Sequence, residues 1–116
     1  MSVTIYHNPR CSKSRQTLAL LEERNITPDV VKYLDTPPSV DALKTLFTQL
    51  NYDSPREMMR TKEDIYKSLN LGANTVTDEQ LFEAMAANPK LIERPIVVAN
   101  GKAAMGRPPE QVLDIL

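Results

Sequence analysis

Cys11 is the single cysteine of the chain, and Arg10, Lys13 and Arg15 surround it in a stretch, residues 1–21, that contains no acid. A thiol in such electropositive surroundings ionises more readily than a free one, and the thiolate is the nucleophilic form. Cys11-Ser12-Lys13-Ser14 is a CxxS arrangement, with Ser14 where the resolving cysteine of a CxxC redox pair would stand. The Ser14 hydroxyl can donate a hydrogen bond to the sulfur but cannot close a disulfide, so any redox cycle needs a thiol from another molecule. A lone cysteine is often a small buried filler. Here Asn8, Pro9, Arg10, Ser12 and Lys13 are polar or turn-forming, which favours a reactive thiol instead. His7, the only histidine, is a partner for that thiolate, an anion ligand or a structural hydrogen-bonding group. Three distant arginines are further candidates: Arg60, Arg94 and Arg107. A thiolate with several guanidinium forks suits a tetrahedral oxyanion, because arginine offers planar paired donors that lysine lacks.

The elements that must position these groups are readable from periodicity and turn chemistry. Val3–Tyr6 is β-branched and aromatic and predicts a strand. Ser12–Arg24 is free of proline and glycine, with Thr17, Leu18, Leu20 and Leu21 at helical spacing. Asp29–Leu34 predicts a second strand, so the first third is a βαβ unit with parallel strands. Cys11 then falls at the carboxyl end of a strand and the start of a helix, the crevice where α/β sheets bind ligands and where unpaired N–H groups favour anions.

After Thr36-Pro37-Pro38 the pattern turns helical. Ser39 caps a helix with Val40, Leu43, Leu46, Phe47 and Leu50 on its inner stripe. Ser54-Pro55-Arg56-Glu57 and Thr77-Asp78-Glu79-Gln80 are capping boxes; the first opens a short helix reaching about Arg60, the second a helix ending before Asn88-Pro89. A further turn or two covers Glu63–Leu69. Ile96–Ala99, the Asn100-Gly101 turn and Lys102–Met105 predict a β-hairpin. Arg94 precedes Pro95 at the mouth of its first strand, where an X-Pro bond can be cis, and Arg107 follows its second. Pro108-Pro109-Glu110 opens a terminal helix with Val112, Leu113 and Leu116 inward. The expectation is one α/β domain over residues 1–116: a four-stranded mixed sheet, βαβ then ββα, with a helical insertion at about 39–91.

With 116 residues, 41% hydrophobic and 25% charged, the chain has the make-up of one globular domain able to bury its own core. Its net charge is −1, with +3 in residues 1–21 and −4 in the rest, so no nucleic-acid partner is expected. The longest apolar runs are four residues. Neither a membrane span nor a secretory segment is expected, and the expected location is cytoplasmic. A single cysteine also argues against an internal disulfide and a multi-cysteine zinc site.

The segments Ile5-Tyr6-His7-Asn8-Pro9-Arg10-Cys11, Ser14-Arg15, Tyr33-Leu34-Asp35-Thr36-Pro37-Pro38, Arg94-Pro95-Ile96-Val97-Val98 and Gly106-Arg107-Pro108 together resemble the glutaredoxin-coupled arsenate reductases, over essentially the whole chain. The resemblance implies a thioredoxin-like fold and reduction of arsenate to arsenite. It implies Cys11 as the nucleophile, Arg60, Arg94 and Arg107 as oxyanion-binding residues, and His7 and Ser14 as groups that keep the thiol ionised, with electrostatic support from Arg15. It implies glutathione as a co-substrate, glutaredoxin as the protein partner, and no bound cofactor or metal. The chain departs from well-studied members in having Ser12-Lys13, rather than Gly-Thr, after the cysteine. Two other functions fit the same residues. One is a glutathione-dependent thiol–disulfide reductase of the same fold. The other is a non-catalytic regulator of the thioredoxin-like superfamily that binds RNA polymerase, against which the missing second cysteine counts.

Overall fold

The computed structural model describes residues 2–116, in two compact units. One comprises the chain up to Thr36 together with Arg94–Leu116; the other is Pro37–Glu93.

The first unit holds the sheet. Its strands are β1 (Val3–Tyr6), β2 (Asp29–Val31), β3 (Ile96–Ala99) and β4 (Lys102–Met105), in the order β2-β1-β3-β4. β1 runs parallel to β2 and antiparallel to β3, which pairs antiparallel with β4. The hairpin turn is the expected one, with Asn100 at φ 56° and Gly101 at φ 73°, the left-handed values that asparagine and glycine tolerate best. α1 (Ser12–Glu23) and a terminal 3₁₀ helix (Pro109–Ile115) pack on each other. Together with Val3, Ile5, Val97 and Ala99 of the strands, Leu21 and Val112 complete a buried cluster.

Three sequence expectations change here. β2 stops at Val31 instead of reaching Leu34. The Lys32 carbonyl accepts hydrogen bonds from the N–H groups of Asp35 and Thr36 and from the Thr36 hydroxyl, which turns the chain early. Ser14 joins Thr17 and Leu21 on the buried face of α1, with Leu18 and Leu20 packed at its edge. The terminal helix is 3₁₀, whose period of three aligns Pro109, Val112 and Ile115 on one side.

The second unit is helical: α2 (Val40–Leu50), a 3₁₀ turn (Pro55–Met58), α3 (Asp64–Ser68), α4 (Asp78–Ala87) and a second 3₁₀ turn (Pro89–Leu91). Ser39 caps α2 through Ala42 N–H, and both expected capping boxes form, at Ser54 and at Thr77. α2 packs on α4, with the Phe47 and Phe82 rings edge to face at 5.6 Å, a favoured aromatic geometry. Arg56 donates to the carbonyls of Leu71 and Ala73 and so pins the loop before α4. The first 3₁₀ turn ends at Met58, short of Arg60, because Met59 is extended and bridges to Ile92 while Arg60 N–H donates to the Leu91 carbonyl. Among the described residues no helix is long and apolar enough to cross a membrane.

Candidate active site

Cys11 is the N-cap residue of α1, with extended backbone angles of −94° and 125°. Its N–H donates to the Asn8 carbonyl at 3.0 Å, and its own carbonyl accepts the Arg15 N–H at 3.0 Å. The turn Asn8-Pro9-Arg10 is closed by Asn8 Oδ1, which accepts the Arg10 N–H at 3.0 Å. These bonds hold the sulfur against the first turn of the helix, where N–H groups lack intrahelical partners.

The side chain is buried, only 8% exposed. Burial by itself pushes the thiol up. It is outweighed by the Ser14 N–H, the Arg94 charge, the Lys13 N–H and a hydrogen bond from the Arg94 side chain, so that the net displacement is below the ordinary thiol value. The sulfur makes no capping bond at strict geometry, yet these N–H groups lie close enough to favour its anion. Ser14 therefore acts on the sulfur through its backbone. Its hydroxyl is engaged elsewhere, with His7 Nδ1 at 2.6 Å and the Asn8 N–H at 3.0 Å.

The sheet brings two distant arginines to this point. Pairing of Ile96 with Met105 aligns the ends of β3 and β4, and Gly106 N–H donates to the Pro95 carbonyl at 2.9 Å. Arg94 and Arg107 are thus neighbours across the hairpin base: Arg107 Nε donates to the Arg94 carbonyl at 2.8 Å, and Arg107 Nη2 lies 3.8 Å from Cys11 Sγ. Both peptide bonds that follow these arginines, Arg94–Pro95 and Arg107–Pro108, are cis; the sequence pointed to the first and not to the second.

His7 is buried, at 5% exposure. Burial, then the charges of Lys32 and Arg15, lower its basicity, so the imidazole is neutral at neutral pH. It touches Ser14 rather than the sulfur. Arg15 is exposed and donates to the Pro9 carbonyl at 3.0 Å. Arg60 belongs to the second unit, where Nη1 bonds Glu63 Oε1 at 2.6 Å and Nε stands 3.9 Å from Glu93 Oε1. No group of three or more His, Cys, Asp or Glu residues among the described ones could hold a metal ion.

Sequence reasoning missed Gly106 and Thr17. A Cβ on Gly106 would lie 2.5 Å from Thr17 Oγ1 and 2.7 Å from Pro95 Cγ, so the residue before Arg107 has room only for hydrogen. The sequence signal was present in Gly106-Arg107-Pro108, where glycine directly precedes a candidate arginine.

The chemistry available is nucleophilic attack by a stabilised thiolate on an anion held by guanidinium groups. A direct consequence concerns pH. The ultraviolet absorbance of the Cys11 thiolate should rise with a midpoint below about 8.5, the free-cysteine value. Arg94→Ala should raise that midpoint, because it removes both a charge and a hydrogen bond. A wild-type midpoint at the free value would contradict the geometry just described.

The model of the ArsC family matches residues 6–115 of this chain. An arsenate reductase of Neisseria meningitidis serogroup A is 54% identical over 114 residues, 98% of this chain and 97% of that protein. YfgD, an uncharacterized protein of Escherichia coli K12, is 60% identical over 114 residues, 98% of this chain and 96% of that one. The solved structure of an arsenate reductase from Vibrio cholerae is 65% identical and superposes with a TM-score of 0.99 over 100% of this chain and 98% of that one. The fold is therefore the expected thioredoxin-like α/β class, a four-stranded mixed sheet with helices.

Proposed function

The chain belongs to the ArsC family, and from that premise and the setting of Cys11 we propose that it is an arsenate reductase. What carries this function is a sulfur that favours its anion and has a guanidinium nitrogen, Arg107 Nη2, at 3.8 Å. The names of similar proteins support the choice of arsenate as oxyanion.

In this reading Arg94 and Arg107 bind the arsenate oxygens with charge-assisted hydrogen bonds. The Cys11 thiolate forms a sulfur–arsenic bond, and one arsenate oxygen leaves as water or hydroxide. The thiol of glutathione, acting as co-substrate, adds to the arsenic of that adduct as a second oxygen leaves. A thiol of glutaredoxin then attacks the glutathione sulfur and forms a mixed disulfide. The electron pair of the broken sulfur–arsenic bond stays on arsenic, which completes the two-electron reduction. Water cleaves the remaining bond, arsenite departs and Cys11 is restored. The absence of a second cysteine supports reliance on outside thiols. No bound cofactor belongs to the cycle, and its thiol supply assigns the protein to the cytoplasm, a reducing compartment.

His7 and Ser14 support the thiolate indirectly, by fixing the turn and the start of α1 through the His7–Ser14–Asn8 bonds. Arg15 braces the same turn at Pro9. Arg60 is assigned to arsenate on the resemblance alone.

The test is a coupled assay of arsenate, glutathione, glutaredoxin and a recycling reductase, followed by NADPH loss. Arg94→Ala and Arg107→Ala should each raise the KM for arsenate by about 10–100-fold, since a hydrogen bond to a charged group contributes about 1.5–3 kcal/mol. Alkylation of Cys11 in Arg107→Ala should stay largely intact at a pH where the thiol is ionised. Turnover of glutathione mixed disulfides with none of arsenate would replace this function by that of a thiol–disulfide reductase.

A further inference from the structure

A cavity of about 380 Å³ in the first unit is lined by His7–Arg10, Lys32, Leu34 and Asp35, a volume within the range of small-molecule sites. Its two walls are tied together. His7 N–H donates to the Val31 carbonyl at 2.8 Å, and the Lys32 carbonyl holds the turn that presents Asp35. Cys11 is not among the lining residues, but it directly follows Arg10 in the chain and its N–H donates to the Asn8 carbonyl of one wall.

The charges on these walls are mixed. Arg10 and Lys32 are cations, Asp35 is a carboxylate, and none of them takes part in the salt bridges formed among the described residues. Leu34, 40% exposed, supplies an apolar edge. A simple oxyanion such as arsenate gains from the two cations but is repelled by Asp35. A small zwitterion with two carboxylates and one ammonium satisfies all three side chains.

We propose that this cavity is the glutathione site, with the two carboxylates of the peptide on Arg10 and Lys32, its ammonium on Asp35, and its thiol beside Cys11. The proposal rests on the reading above that glutathione is the co-substrate, and it adds where glutathione sits and which residues select it.

The probe is S-methylglutathione, which cannot react, titrated into the full chain and followed by amide NMR. Shifts should concentrate at residues 7–10 and 31–36. Lys32→Gln and Asp35→Asn should each weaken binding by about 2–5-fold, the range for exposed charge pairs. Arg10→Gln with Lys32→Gln should weaken it further. In the coupled assay Lys32→Gln should raise the KM for glutathione and leave that for arsenate unchanged. Absence of shifts, shifts confined to the groove between Lys13–Glu23 and Pro108–Glu110, or an affinity that survives Lys32→Gln would overturn the proposal, while arsenate turnover by Cys11 would stand. Loss of arsenate turnover with the shifts intact would overturn the substrate assignment and leave the glutathione site in place.

Discussion

Cys11→Ser is expected to take arsenate turnover down to the blank, a loss on the order of 10³-fold or more for removal of a nucleophile. A serine hydroxyl remains protonated under the same two guanidinium groups. An oxygen–arsenic linkage would also offer the second thiol no sulfur–arsenic bond through which to reduce arsenic. NADPH consumption that persisted in Cys11→Ser would remove the nucleophile from the mechanism. The same variant carries a second readout in stability. The folded thiol ionises at a lower pH than the unfolded one, so between those two values the folded state binds fewer protons and stability rises with pH. That contribution is fully present above the unfolded value of about 8.5 and is lost as pH falls through the folded value. Wild-type Tm should therefore fall through this window more steeply than the Tm of Cys11→Ser. The depressed basicity of His7 gives a loss of the same sign, confined to pH below about 6.5, and it should persist in the variant.

Much of this site was legible before folding, because its signals are local. The break at His7-Asn8-Pro9, the cations around Cys11 and the hairpin turn at Asn100-Gly101 are short-range facts, and they place a thiol at a helix start and two arginines at a hairpin base. What stayed hidden depends on contacts between segments far apart in the chain. Thr17 read only as one position of a helical stripe and Ser14 as a hydroxyl facing the sulfur, yet both are fully buried, Thr17 against Gly106 and Ser14 with its hydroxyl bonded to His7. The early end of β2 comes from three hydrogen bonds converging on one carbonyl, that of Lys32, which no propensity of Tyr33 or Leu34 announces. Arg60 looked like the last residue of a capped helix. A bridge between Met59 and Ile92 takes it out of that helix and sets it beside Glu63 and Glu93.

Gly106→Ala should disturb the site without touching any charged group in it. The added methyl would meet Thr17 Oγ1 at 2.5 Å, Pro95 Cγ at 2.7 Å and Thr17 Cγ2 at 3.2 Å. None of these moves without cost. Thr17 Oγ1 is held by its bond to the Lys13 carbonyl at 2.8 Å within α1, so turning that side chain away gives up the bond, and the Pro95 ring is closed. The end of β4 must then move, straining the Gly106–Pro95 bond and carrying Arg107 away from Cys11. Overpacking of this kind costs about 1–3 kcal/mol, seen as a Tm several degrees lower. The displaced guanidinium should also raise the KM for arsenate, as Arg107→Ala does. Thr17→Ala removes two of the three clashing atoms, so the double variant should recover part of both losses despite the bond that Thr17 gives up, a coupling that independent sites would not show. If the double variant were no better than Gly106→Ala alone, the contact with α1 would not be what keeps a side chain off residue 106.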